Sequence, residues 1–200
     1  GYRLNTDFHE LKLDMGRMFG FAYGEKENGA VFSHMTVMYA NALYHRGFVR
    51  EGWKALKTLA DTALDFSTSR IYPGIPEYFR SDGRGMYPYL TGAASWYLMT
   101  MITEVFGVRG AAGDLIFYPK LLAEQFTCEG TASISVTFAG KRLQVTYRNE
   151  NRKDFGAYTV ASAQCGSIEL TIIENAYAVL PRRILNALSN ETHQIIVTLF

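Results

Sequence analysis

The sequence predicts an α+β protein in two parts, helical first and β-stranded after. Three observations carry this. Apolar residues recur at helical spacing through residues 30–61 and again through 92–106. Alternation of apolar and polar residues replaces that period at 133–138 and 142–147. The change of period falls between Gly107 and Lys120, so residues 1–112 form the helical part and 113–200 the β part.

The elements follow in order. Residues 1–24 are mixed, with Gly16, Gly20 and Gly24 breaking any single period, and 8–18 read as a short helix or an extended pass. Tyr23 to Gly29 (YGEKENG) reads as a polar loop. A first helix runs from Ala30 to a glycine C-cap at Gly47, with Phe32, Met35, Met38, Tyr39, Ala42 and Leu43 in phase. A second, 49–61, carries Trp53, Leu56, Leu59 and Ala60 on one face, and the two make an αα-hairpin. Residues 62–85 read as a long loop, a kind that is often functional in compact domains. Thr91 stands at the N-cap position of a third helix, 92–106, whose apolar residues predict deep burial. Strands are expected at 114–118, at 133–138 and 142–147 joined through Ala139-Gly140-Lys141, at 168–173 and at 194–200.

Composition excludes several classes. A formal net charge of +1, with Lys and Arg scattered, argues against a nucleic-acid partner bound through counterion release. No apolar run is long enough to span a bilayer as a helix, so no membrane partner is expected. Cys128 and Cys165 lie in no C-x-x-C pair and have no suitably spaced His, so no metal site is expected. Reduced thiols fit a cytoplasmic protein, and a disulfide between the two stays an alternative. The sequence opens on Gly1 within ordered-looking sequence, which predicts a fragment of a longer protein.

The chemistry candidates cluster in two stretches. In Tyr87-Pro88-Tyr89-Leu90-Thr91-Gly92-Ala93-Ala94-Ser95-Trp96 a hydroxyl cap precedes a small-residue helix start. Free N–H groups and the helix dipole make such a start an anion site, while the plainer reading is a good cap and a tight packing glycine. His34 falls in the first turn of the first helix. It is either a packed neutral ring or a cation facing an anion, since the helix N-terminus opposes a lone positive charge. Glu27 and Asn28 can read adjacent sugar hydroxyls or simply be solvated. Glu77, among Tyr72, Tyr78, Phe79, Tyr87 and Tyr89, belongs to a sugar site or to a packed aromatic loop. Asp65 and Asp82 have no distinctive setting as the carboxylates of glycosidic chemistry.

Taken together, Lys26-Glu27-Asn28-Gly29-Ala30-Val31-Phe32-Ser33-His34 and Tyr89-Leu90-Thr91-Gly92-Ala93-Ala94-Ser95-Trp96 resemble the inverting glycoside phosphorylases of the cellobiose and chitobiose phosphorylase family, glycoside hydrolase family ninety-four. Glu104-Val105-Phe106-Gly107-Val108-Arg109 and the passage into strands near Asp114 and Pro119 extend the match. The resemblance implies the last helices of an (α/α)6 toroid followed by a C-terminal jelly-roll-like antiparallel β domain. It implies that His34, Thr91 and Gly92 hold inorganic phosphate and that Glu27 lines the sugar site. The reaction implied is phosphorolysis of a β-linked glucose disaccharide or oligosaccharide with inversion, giving an α-sugar 1-phosphate. Phosphate is then a co-substrate, and no cofactor is implied. The partners are the oligosaccharide and phosphate, and a homodimer of the full-length enzyme is compatible with them.

Two departures accompany it. The family's general acid, an aspartate in a D-W-N-D-like stretch, is absent from the sequence and is expected upstream of Gly1, with a phosphate-binding arginine. The loop from Tyr72 to Tyr78 differs from that of typical cellobiose phosphorylases, which leaves the sugar open. The rivals are a hydrolase on the same toroid, a phosphorylase-like domain of a cyclic glucan synthase, and a non-catalytic carbohydrate-binding fragment.

Overall fold

A computed structural model describes residues 1–72, 74–88 and 91–200. Pro73, Tyr89 and Leu90, which belong to the aromatic loop and to the second motif, lie outside the described residues. The chain is mixed helix and sheet and divides into two compact units, Gly1–Thr100 and Met101–Phe200.

In the first unit a kinked 3-10 segment, Leu13–Gly20, occupies the region where no single period dominated. Strand β1 (Val31–Phe32) leads directly into helix α1 (Ser33–His45), followed by α2 (Val49–Leu64) and the short α3 (Phe66–Ser69). Helix α1 ends in a Schellman motif: Phe48 N–H donates to Leu43 O at 2.9 Å and Gly47 N–H to Tyr44 O at 3.1 Å, with Gly47 at φ 82°. Helices α1 and α2 then pack antiparallel through fully buried Val37, Ala40, Tyr44, Ala55 and Leu56.

The stretch 62–85 is more ordered than a loop. Within and beside it lie α3, β2 (Tyr78–Phe79) and β3 (Gly85–Met86). Strand β2 pairs antiparallel with β1 (Val31↔Phe79, Phe32↔Tyr78) and with β3 (Tyr78↔Met86). Asp65 caps α3, accepting from Ser67 Oγ–H at 2.6 Å, Thr68 Oγ–H at 2.5 Å and Ser67 N–H at 3.1 Å, and these bonds, the Ser67 hydroxyl first, hold its carboxyl below the usual range. Helix α4 (Gly92–Thr100) is tied to α1 by Asn41 Nδ2–H donating to Thr100 Oγ at 3.1 Å. Its expected deep burial does not hold: Leu98 is 63 % and Met99 42 % exposed. Apolar residues surround this helix, so α1 covers one side while Leu98 and Met99 face outward.

In the second unit the α-helical ladder gives way to a π turn, Met101–Val105, where the sequence period had predicted a continuous helix. Strands β4 (Val108–Ala111), β5 (Asp114–Phe117), β6 (Thr131–Phe138) and β7 (Lys141–Arg148) follow. After them come β8 (Val160–Cys165), β9 (Ile168–Glu169), β10 (Thr171–Ile173), β11 (Tyr177–Leu180), helix α5 (Arg182–Ala187) and β12 (Thr192–Leu199). They form a four-stranded sheet ordered β10-β11-β5-β4 and a five-stranded sheet ordered β6-β7-β12-β8-β9. The hairpin β6–β7 closes at Phe138↔Lys141, with Ala139 (φ 48°) and Gly140 (φ 75°) both left-handed, as a two-residue primed turn requires. Pairing is antiparallel throughout except that β12 runs parallel to β7, a departure from the antiparallel expectation. The single strand expected over 168–173 is split between the two sheets, because buried Leu170 donates its N–H to Ala163 O. Fully buried Leu115, Phe117, Val145, Tyr147, Leu180, Ile195 and Val197 fill this unit's core. No helix among the described residues is long and apolar enough to cross a membrane.

Candidate functional site

The first motif is a tight turn held from several sides. Gly24 N–H donates to Asn28 O at 2.6 Å and Asn28 N–H to Glu25 O at 2.9 Å, closing Glu25–Asn28. Asn28 is only 5 % exposed, so it is no solvated loop residue. Its Nδ2–H donates to Phe21 O at 2.8 Å and its Oδ1 accepts from Asn5 at 3.3 Å. Gly29 sits at φ 76°, where a Cβ would lie 2.2 Å from the Tyr23 ring. Only glycine fits there, and the chain turns at once into β1.

Glu27 presents its carboxylate from this turn. Oε1 pairs with Arg17 at 3.2 Å, while Oε2 is buried with no hydrogen-bond partner among the described residues. Glu25 accepts from the Tyr78 hydroxyl at 2.7 Å and faces Arg80 Nε at 3.7 Å. Burial first, and then the Glu25 carboxylate, push the Tyr78 phenol well above its ordinary range. Lys26 Nζ lies 3.6 Å from Glu77 Oε2 and 4.0 Å from the centroid of the Tyr87 ring. The aromatic residues of the long loop diverge: Tyr78 and Phe79 are buried, Tyr87 is half exposed and Tyr72 is 86 % exposed. Phe32 stacks on Tyr78 with centroids 6.5 Å apart, and Tyr87 lies tilted by 33° against Tyr78 at 6.0 Å.

Strand β1 hands the chain to α1 without a side-chain cap. Ser33 N–H, the first of the helix, instead donates to Glu77 O at 2.8 Å. His34 follows, and its ring lies against the start of α4. A Cβ built on Gly92 would be 3.3 Å from His34 Cε1 and 3.6 Å from Nε2. A side chain there would push the imidazole back by a few tenths of an ångström, so glycine favours the close approach. Thr91 Oγ accepts from Ala93 N–H at 3.2 Å, as a capping hydroxyl does. Trp96, one turn on, packs on the same imidazole, with centroids 5.5 Å apart and planes at 55°.

The structure therefore brings His34, Thr91 and Gly92 together across 58 residues of sequence, and Glu27 sits on the turn that leads into the His34 strand and helix. His34 Nε2 and Ser33 Oγ are buried with no partner among the described residues. An unpaired buried polar atom costs about 1–3 kcal/mol, and a native site carries it where a ligand or water completes it. An oxyanion between His34 Nε2 and the N–H groups opening α4 would meet donors from both sides. Ser33 and Glu77 were not singled out for this surround by residue type, because Ser33 contributes a main-chain N–H and Glu77 a carbonyl. Asp82 accepts from Arg84 N–H at 3.1 Å and, like Asp65, holds a turn. Among the described residues no group of three or more His, Cys, Asp or Glu is gathered as a metal site would require. Cys128 is exposed, Cys165 is buried, and both are free.

No family model matches the chain. It is similar to the cellobionic acid phosphorylase of Neurospora crassa, with 26 % identity over 161 residues, covering 74 % of this chain and 20 % of that enzyme. The chain thus spans about one fifth of the length of this relative.

Proposed function

We propose that the chain is the C-terminal part of an inverting glycoside phosphorylase of glycoside hydrolase family ninety-four, acting on a β-linked glucoside. The observation that carries the reading is the His34 ring seated on the Gly92 helix start with a buried, unpartnered Nε2. The likeness to a phosphorylase supports the reaction class.

In this reaction one phosphate oxygen attacks the anomeric carbon from the face opposite the leaving sugar. The glycosidic C–O bond breaks, a proton from a general acid goes to the departing oxygen, and the product is an α-sugar 1-phosphate. Bound phosphate is the nucleophile, so no second carboxylate is needed to activate water. His34, the Thr91 cap and the Gly92 N–H hold the phosphate and offset its charge. Glu27 accepts from sugar hydroxyls beside it, off the phosphate centre, where a carboxylate would repel the anion. The resemblance assigns the proton to an aspartate outside this sequence.

Incubating the full-length protein with cellobiose and with cellobionic acid, each with and without inorganic phosphate, tests the reading. Phosphate-dependent appearance of glucose 1-phosphate is the expected result. Equal sugar release without phosphate would establish the hydrolase instead.

A further inference from the structure

Strand β2 grips both ends of the candidate site, and one residue on its edge does so twice. The Glu77 carbonyl accepts from Ser33 N–H at 2.8 Å, one residue before His34. The Glu77 carboxylate meets Lys26 Nζ at 3.6 Å, one residue before Glu27. The two contacts use different atoms of the same residue and lead to different halves of the site.

The Lys26 contact adds to the main-chain bonds that hold a strained turn conformation. Lys26 has φ 43° and Tyr87, whose ring lies 4.0 Å from the ammonium, has φ 55°. A left-handed non-glycine residue persists only when its surroundings over-determine it, at a cost of about 1–3 kcal/mol. The surroundings here are the main-chain bonds that close Glu25–Asn28, the Glu77 carboxylate, the Tyr87 ring face and, at 5.8 Å, the Phe21 ring. The Lys26 and Glu77 side chains are 20 % and 31 % exposed, so their pair is partly desolvated and less screened than a surface ion pair. The next residue, Tyr78, opens β2 and binds Glu25 on the same turn, so consecutive residues Glu77 and Tyr78 hold consecutive residues of the turn.

We propose that Glu77 is a positioning residue: its carboxylate, through Lys26, sets the turn that presents Glu27 to the sugar, while its carbonyl separately sets the start of α1 that carries His34. This rests on the assignment of Glu27 to the sugar side of the phosphorylase site. Replacing the side chain removes the first contact and leaves the second, so the sugar and phosphate ends respond differently.

The test is calorimetric titration of the full-length protein, separately with cellobionic acid and with inorganic phosphate. Glu77→Gln weakens sugar binding about 10-fold and changes phosphate binding less than about twofold, because only one contact is lost. In a Lys26→Met background the same substitution adds less than about twofold, since its route is already cut. Glu77→Asp, which keeps the charge, recovers part of the loss and serves where Glu77→Gln does not fold. Unchanged sugar affinity, equal weakening of both ligands, or an undiminished effect in the Lys26→Met background would overturn the proposal. A wild-type protein that binds the sugar and not phosphate would overturn the phosphorolysis reading while the sugar titration still judged Glu77. A wild-type protein that binds neither overturns both.

Discussion

The two units differ in how completely their buried polar groups are paired. In the second unit they are paired. Glu104, 3 % exposed, meets Lys120 at 2.8 Å and Arg109 at 3.7 Å. The Tyr158 hydroxyl accepts from Leu121 N–H and donates to Pro119 O, both at 2.9 Å, and Asn149 binds Lys153 through both ends of its amide. In the first unit buried Asn28, Thr36 and Ser69 are paired too, but Glu27 Oε2, Ser33 Oγ, His34 Nε2 and Trp53 Nε1 are buried without partners among the described residues. Three of these four lie within eight consecutive residues of the first motif. A paired buried group contributes to the fold, and an unpaired one opposes it until something arrives to complete it. The first unit carries three of its four unpaired atoms on the motif where a ligand is proposed, and the second carries none of that kind among the described residues.

That contrast predicts a separation of effects. Replacing Lys120 by methionine takes the nearer cation from buried Glu104 and should cost about 3 kcal/mol of stability, leaving phosphate affinity unchanged. Denaturant titration of the full-length protein alongside phosphate calorimetry checks this. Next in size, His34→Ala should lower kcat/KM for phosphate about 100-fold, as loss of one anion-binding donor does, with stability close to wild type. Steady-state kinetics at varied phosphate and fixed sugar reads it. A stability loss comparable to that of the Lys120 variant would mark His34 as a packed ring only.

Thr91→Ala should have the smallest effect. It removes the hydroxyl that accepts from Ala93 N–H and costs about 1 kcal/mol of local helix stability. If Thr91 also meets phosphate, its KM for phosphate rises several-fold, whereas Thr91→Ser, which keeps the hydroxyl, stays near wild type. Loss of stability with unchanged phosphate KM would reduce Thr91 to a cap.

Much of the fold was legible where local chemistry decides it. Helices α1 and α2, the Gly47 terminus and the β6–β7 hairpin follow from period and turn residues within a few positions. The small sheet β1-β2-β3 was not legible, because two-residue strands carry no alternation and Val31↔Phe79 is a pairing across 48 residues. The π turn at Met101–Val105 was equally hidden, since the apolar period continues through it. The candidate site divides in the same way. His34, Thr91 and Gly92 stood out as residue types at helix starts. The contact between His34 and Gly92 depends on how α1 packs on α4, which no local pattern encodes. Glu77 had aromatic neighbours in sequence and its N–H does donate to Tyr87 O, yet its carbonyl and carboxylate contacts run to Ser33 and Lys26, far up the chain.

The unpaired imidazole nitrogen is the centre of the account. Its most direct test is a crystal structure of the full-length protein grown with inorganic phosphate. A phosphate oxygen should lie about 3 Å from both His34 Nε2 and the Gly92 N–H, the distance of a charge-assisted hydrogen bond. A phosphate bound elsewhere, with His34 Nε2 bonded to another side chain of the same protein, would contradict it.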